Sequence, residues 1–138
     1  MKLVVDANVV ISALIADSKT RELIVTLELD LLTPQFVHDE IENHETLIVD
    51  RSGMEPRRVR QFVDLLFQYI EAVPASEFYP YIEEADAAIG DTDPDDVLYV
   101  ACALTTDANI WSDDSDFKEQ DVVEAYTTSD VIDSFATL

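Results

Sequence analysis

Short apolar strand patterns alternate with helical patterns along the chain, and this alternation is what most constrains the fold. Strands are expected at 2–6, 31–32, 109–111 and 122–125. Helices are expected at 7–16, 20–28, from 34 to 48, from 56 onward, in part of 78–88, from 94 to 104 and at 129–135. Strands that alternate with helices predict an α/β fold with a mostly parallel sheet. No repeat or linker interrupts the pattern, so we expect a single domain over residues 1–138.

Two Xaa-Pro pairs mark helix starts. Thr33 and Asp93 each stand before a proline, which predicts an N-cap residue followed by the first helical residue. Apolar spacing then predicts which positions share a helix face. For the helix after Pro34 these are Val37, Ile41, His44 and Ile48, and for the helix after Pro56 they are Val59, Phe62, Val63, Leu66, Phe67 and Ile70.

The net charge of −22 at first argues against a nucleic-acid partner, because phosphate would be repelled. The acids are spread over the whole chain, however, and only three lysines occur, Lys2, Lys19 and Lys118. This balance is typical of a protein from a salt-accumulating organism. At molar salt the Debye length falls to ~3 Å, so repulsion between protein and phosphate is screened. On this interpretation the charge does not exclude RNA.

The sequence also favours a cytoplasmic location. No apolar run approaches the ~20 residues of a membrane helix. The apolar run before Asp6 is too short for a signal peptide. The single cysteine, Cys102, has no partner for an internal disulfide, which suits a reducing compartment.

Aspartates recur where a ligand site is expected in an α/β fold. Asp6 ends the first strand, Asp114 follows the strand at 109–111, and Asp96 lies at the start of a buried helix. Ligands bind outside the carboxyl ends of parallel strands, and clustered carboxylates favour a hard cation such as Mg²⁺ or Mn²⁺. Each residue also has a structural interpretation: a strand-end cap for Asp6, a helix-dipole interaction for Asp96, and a solvated turn for Asp114.

Glu40 is informative because its helical position places it on the apolar side that carries Val37 and Ile41. It is either a metal or catalytic residue, or a flanking residue that reaches solvent. Other site types fit poorly. A calcium loop beginning at Asp91 would have Asp96 in place of the required glycine. Two histidines and one cysteine make a structural zinc site improbable.

Arginines cluster near residue 57. Arg57, Arg58 and Arg60 lie together, with Arg51 shortly before them. They form either salt bridges to neighbouring acids or a cationic spot that contacts RNA phosphate or an acidic partner.

Four sequence blocks resemble the PIN-domain nucleases, in particular the VapC-like toxin components of toxin–antitoxin pairs, over nearly the whole chain. The blocks read VVDANVVISAL at 4–14, TPQFVHDEI at 33–41, DPDDVLYVACAL at 93–104 and WSDDSDF at 111–117. Each block is weak alone, but their order and intervals match the family. Together with the acidic composition, the resemblance predicts a VapC-like protein from a halophilic, archaeon-like source.

The resemblance implies a three-layer PIN-like fold whose central sheet is flanked by helices, and a metal-dependent endoribonuclease. It implies that Mg²⁺ or Mn²⁺ is held by Asp6, Glu40, Asp96 and Asp114, with Asp116 nearby. Asn8 and Ser112 would support this site by hydrogen bonds. The choice among Asp93, Asp95 and Asp96 stays open, with Asp96 preferred and Asp93 in a supporting role. Asp113 departs from the family, which usually has glycine there.

The implied partners are an RNA substrate, a cognate antitoxin protein and a second copy of the chain in a homodimer. Two other functions stay open. The first is a non-catalytic PIN-like module that binds RNA or protein, which the Asp113 departure and a weak cationic surface would allow. The second is a phospho-acceptor signalling domain, for which Lys118 is the only late lysine and does not close a strand.

Overall fold

In the computed structural model, which describes residues 1–15, 18–89 and 94–135, five strands form one entirely parallel sheet. The strands are β1 (Lys2–Val5), β2 (Asp30–Pro34), β3 (Ile70–Val73), β4 (Asn109–Trp111) and β5 (Ala125–Tyr126). Their order across the sheet is β3-β2-β1-β4-β5. The predicted α/β class is confirmed, and every strand pair is parallel.

Helices connect the strands and flank the sheet. They are α1 (Ala7–Ile15), α2 (Ser18–Thr26), α3 (Phe36–Asn43), α4 (Glu45–Ser52), α5 (Pro56–Leu66), α6 (Ala75–Phe78), α7 (Ile82–Ile89), α8 (Pro94–Thr106) and α9 (Thr128–Phe135). Two short 3-10 helices cover Tyr79–Tyr81 and Ser115–Glu119. Helix α1 packs against α2, α3, α4 and α5, whereas α8 packs against β1, β2, β4 and α7.

The centre of the sheet is buried because β1 lies between two neighbours. Leu3, Val4 and Val5 are all fully buried, as expected for a parallel strand covered on both faces. Helix α8 is buried along most of its length and carries Ala101 and Ala103, whose small side chains allow close packing. The prediction of a buried helix here is confirmed. Among the described residues, no helix combines the length with the hydropathy that a membrane span requires.

The strand register brings together the two chain segments that matter for the site. Val5, at the end of β1, pairs with Trp111, at the end of β4. The amide of Asp6 then donates a hydrogen bond of 3.0 Å to the Trp111 carbonyl oxygen. Asp6 and Ser112 therefore leave the sheet side by side, at its carboxyl edge.

The helix start predicted at Thr33-Pro34 is wrong. Both residues belong to β2, and α3 begins only at Phe36. The Thr33 hydroxyl does not cap a helix; it donates a 2.8 Å hydrogen bond to the Val5 carbonyl oxygen. The hydroxyl that was predicted to cap a helix therefore forms a hydrogen bond between the neighbouring strands β2 and β1.

The helix predicted from 34 to 48 is also interrupted. It forms two helices, α3 and α4, which meet at His44. Val37, Ile41 and Ile48 are buried as predicted, but His44 is exposed, so its place on the apolar face is wrong. The His44 ring lies 2.7 Å from the Glu40 carbonyl oxygen instead.

Strand β3 was not expected, since Ile70 continues the helical spacing of α5. The helix ends at Leu66, and Ile70 opens β3. The last strand lies at Ala125–Tyr126, not at 122–125. Ala16 and Asp93 lie outside the described residues, so the end predicted for the first helix and the Asp93 cap are not described.

Candidate active site

Asp6 is the buried anchor of the candidate site. Its side chain is 6 % exposed and lies just beyond β1. One carboxylate oxygen, Oδ1, accepts a 2.9 Å hydrogen bond from the Asn8 amide, and Oδ2 accepts a 2.6 Å hydrogen bond from the Ser112 hydroxyl. Asn8 thus supports Asp6 through its backbone, at the turn that opens α1.

The pKa of Asp6 is raised above its ordinary value. Burial is the main cause, because desolvation disfavours the charged form. The two hydrogen bonds act against the shift, whereas the negative charges of Asp114 and Asp113 add to it. A cation bound nearby would oppose this upward shift, since its positive charge would favour ionised Asp6.

Ser112 connects Asp6 to the acidic loop after β4. It is 1 % exposed, and while its Oγ donates to Asp6, it accepts a 3.0 Å hydrogen bond from the Asp114 amide. Asp114 Oδ1 in turn accepts a 2.9 Å hydrogen bond from the Asp116 amide. These hydrogen bonds hold the loop in one conformation relative to the sheet.

Three carboxylates converge at the end of this chain of hydrogen bonds. Asp96, Asp114 and Asp116 each offer an oxygen atom, and these atoms all lie within 4.8 Å of one another. Asp96 is 6 % exposed, whereas Asp114 is exposed and Asp116 half-buried. Oxygen atoms bound to one Mg²⁺ lie at most about 4.2 Å apart, given metal–oxygen distances near 2.1 Å. Small side-chain adjustments would let all three carboxylates bind one ion.

Glu40 approaches the same region from α3. It is half-buried, and its negative charge acts on the hydroxyl of Tyr99, as does the charge of Asp6. Tyr99 has a raised pKa, mainly through burial, to which Asp6, Glu40 and Asp95 add. The structure therefore gathers residues from β1, α3, α8 and the loop after β4 around one end of the sheet.

Within the run of aspartates, Asp96 is buried and belongs to the group of three carboxylates, and its preference as the main ligand stays a prediction. Asp95 is exposed, and its negative charge acts on Tyr99. Asp93, proposed as a supporting residue, lies outside the described residues.

Tyr99 is a site residue whose position sequence reasoning missed. Its hydroxyl oxygen accepts a 3.1 Å hydrogen bond from the Ala7 amide, and its ring makes edge contacts with Phe36 and Phe117. It ties α8 to the first turn after Asp6. The available signal was a tyrosine in a helix segment that is otherwise aliphatic or small, where a buried hydroxyl needs a partner.

Asp113 has a structural partner that accounts for its departure from the usual glycine. Its carboxylate accepts hydrogen bonds from the amide and hydroxyl of Thr128, at 2.7 and 2.8 Å. Among the described non-glycine residues only Asp107 has a positive φ, so the backbone at Asp113 does not require glycine. The loop accommodates aspartate here and uses it to hold the start of α9.

The three arginines singled out by the sequence differ in their surroundings. Arg60 forms two hydrogen bonds to the carboxylate of Glu45, at 2.6 and 3.1 Å, so the salt-bridge interpretation holds for it. The Arg58 guanidinium lies 5.7 Å from the centre of the Phe62 ring. Arg57 is exposed and has no carboxylate partner in the described part of the chain.

Comparison with protein families gives one match over most of the chain. A family model described as PIN domain matches residues 4–131. The matched span includes every candidate site residue, from Asp6 to Asp116. A search of curated proteins found no match.

Proposed function

The chain belongs to the PIN-domain family, whose members are generally metal-dependent nucleases, and we propose that it is an endoribonuclease that hydrolyses RNA phosphodiester bonds with Mg²⁺ or Mn²⁺. The observation that carries the proposal is the convergence of Asp96, Asp114 and Asp116 beside buried Asp6 at the carboxyl edge of the sheet. Such edges are where α/β folds bind their ligands.

The donor set suits a hard divalent cation. All of its side-chain ligands are carboxylate oxygens, which match Mg²⁺ and Mn²⁺ better than softer metals. In the proposal Asp96, Asp114 and Asp116 hold the metal, and Asp6 and Glu40 complete the site. A bound ion supplies charge stabilisation at the scissile phosphate and lowers the pKa of an attacking water.

The chain itself contributes positioning. Ser112 holds Asp6 and the Asp114 loop at fixed separation, and Tyr99 fixes the first turn of α1 against α8. Pre-positioned carboxylates need little rearrangement when substrate binds. No residue of the site is needed as a covalent nucleophile.

Purified protein assayed on RNA with Mn²⁺ in molar KCl tests this function. We expect Asp6→Asn and Asp96→Asn to lower the cleavage rate by at least about 100-fold, because each removes a charge from the site. Asp133→Asn is the matched control, since Asp133 is exposed on α9 and lies outside the carboxylate groups that could hold a metal ion. Unchanged cleavage by both site variants, or cleavage that persists in EDTA, would refute the proposal.

We further propose that the ribonuclease is a VapC-like toxin, restrained by a cognate antitoxin and active as a homodimer. The resemblance of four ordered sequence blocks supports this role. Expression should then arrest growth, the Asp96→Asn variant should not, and co-expression of a neighbouring small reading frame should restore growth. Growth that is unaffected by a cleavage-competent protein would argue against a toxin, and a monomeric mass by light scattering would argue against the dimer.

The alternative is a PIN-like module that binds RNA or protein without cleaving. Its sequence support was the Asp113 departure together with a weak cationic surface. The first of these is accounted for by the contact of Asp113 with Thr128. Calorimetric titration separates the two functions. Binding of Mn²⁺ at high salt that is lost in Asp96→Asn supports the nuclease, and absence of divalent binding supports the module.

A further inference from the structure

The arginines of this acidic protein are concentrated in one segment of the chain. Residues 51–62 contain four arginines and a single acid, whereas the rest of the chain has four cations and 29 acids. The fifth arginine, Arg21 of α2, joins them in space. Its guanidinium lies 4.5 Å from the centre of the Phe62 ring, which Arg58 also contacts.

Four of these five arginines form no ion pair in the described part of the chain, and contacts orient two of the four, Arg21 and Arg58. Arg21 donates a 2.9 Å hydrogen bond from Nε to the Ala13 carbonyl oxygen, and Phe62 positions both Arg21 and Arg58. Neither partner carries a negative charge. Arg51 and Arg57 are exposed, and no ion pair joins either of them to an acid within the described ranges.

Arg60 provides a contrast on the same helix. It lies three residues after Arg57, but its guanidinium is paired through two hydrogen bonds with Glu45. Its charge is therefore already compensated. Arg57 and Arg60 are both arginines on α5, but only Arg60 forms an ion pair in the described part of the chain.

Arg21 and Arg58 share the Phe62 ring, and Arg51 and Arg57 lie near Arg58 in the chain. Neighbouring like charges without ion-pair partners favour an anionic ligand. Guanidinium groups offer several planar donors that match phosphate oxygens, and they stay protonated under all ordinary conditions. Protein interfaces usually centre on apolar side chains, yet no large exposed apolar residue lies within 51–62; Leu47 and Leu65 fall outside this segment. Phosphate therefore suits this surface better than an acidic protein.

We propose that Arg21, Arg51, Arg57 and Arg58, here called the arginine surface, bind the phosphate backbone of the RNA substrate. The proposal rests on the ribonuclease function proposed above. It assigns the arginine surface to RNA affinity and leaves the chemistry to the carboxylates. In a protein of net charge −22, the arginine surface would also attract the RNA phosphates locally.

Fluorescence anisotropy with a labelled single-stranded RNA, in EDTA and over a range of KCl concentrations, tests the arginine surface without cleavage. The double variant Arg57→Gln/Arg58→Gln should raise the Kd about 10-fold. It should also make the slope of log K against log[KCl] shallower by about 1.4, given roughly 0.7 per phosphate contact. Arg60→Gln should change the Kd by less than about 2-fold, and Arg57→Lys/Arg58→Lys should keep the slope.

Cleavage assays then separate this proposal from the function on which it rests. With Mn²⁺ present, the glutamine double variant should show a raised KM and an unchanged kcat. RNA binding that depends on Arg57 and Arg58 without any cleavage would refute the nuclease while supporting the arginine surface. Cleavage with a Kd and salt slope unaffected by the double variant would overturn the arginine surface, as would tighter binding of poly-glutamate than of RNA of equal charge.

Discussion

Asp113→Ala should destabilise the protein by about 1–2 kcal/mol, because Asp113 acts as a remote cap for the last helix. Its two carboxylate oxygens accept from the amide and hydroxyl of Thr128, the first residue of α9. The first amides of a helix lack partners within it, and a negative charge there is favourable. Loss of such a cap typically costs about 0.5–2 kcal/mol. Two hydrogen bonds place the expected loss in the upper part of that range. It should not exceed the range, because Asp113 is exposed and water can replace part of the lost interaction.

The effect should extend to β4, because the Thr128 hydroxyl also accepts a 3.0 Å hydrogen bond from Trp111 Nε1. Trp111 is fully buried and is the only tryptophan, so its fluorescence reports on this contact. Urea unfolding followed by Trp111 fluorescence in molar KCl measures the change. A loss of 1–2 kcal/mol corresponds to a fall of roughly 3–8 °C in Tm for a domain of this size.

Asp121→Ala is the matched control, as it removes one exposed aspartate from the next loop and so changes the net charge equally. It should alter stability by less than about 0.5 kcal/mol. Asp113→Asn should lose less than Asp113→Ala, since asparagine keeps one oxygen acceptor. Equal midpoints for Asp113→Ala and Asp121→Ala would refute the capping role and leave charge alone as the explanation.

Three further predictions concern the site and the solvent. Ser112→Ala should weaken Mn²⁺ binding about 10–100-fold by calorimetry, because it frees Asp6 and the Asp114 loop; unchanged affinity would mean that Ser112 does not position them. Tyr99→Phe should cost about 1–3 kcal/mol in urea unfolding, since the buried Ala7 amide loses its acceptor, and an unchanged midpoint would contradict this. Stability, and the cleavage rate at saturating RNA, should both rise from dilute buffer to molar KCl, as salt screens the net charge of −22 and favours the folded protein; full stability and activity in dilute buffer would show that the salt-adapted interpretation is wrong.

Local patterns in the sequence were sufficient for β1, β4 and α8. Each is a buried apolar run, and α8 also begins at a proline, which favours the first helical position. Local patterns were insufficient where two structures share one pattern. Ile70 lies four residues after Leu66, so a continuing helix and a turn into β3 give the same spacing.

Contacts between elements that are distant in the sequence account for other differences between the predicted and the observed structure. Thr33-Pro34 has the chemistry of a helix start, but both residues pair with β3 and so belong to β2, and the Thr33 hydroxyl bonds to β1. Local sequence patterns were also insufficient to predict how the site is assembled. The sequence indicated Asp6 and the loop after β4 as candidates, but their contact depends on pairing between Val5 and Trp111, more than a hundred residues apart in the chain.

The arrangement of charge reconciles an acidic protein with an anionic substrate. Asp96, Asp114 and Asp116 converge near buried Asp6, and such a cluster is costly unless a cation compensates it. Uncompensated arginines gather instead on the arginine surface, with only one acid in residues 51–62. Net charge therefore describes the average surface and not the two places where an RNA would make contact. A metal ion at the first and guanidinium groups at the second would both present positive charge to phosphate.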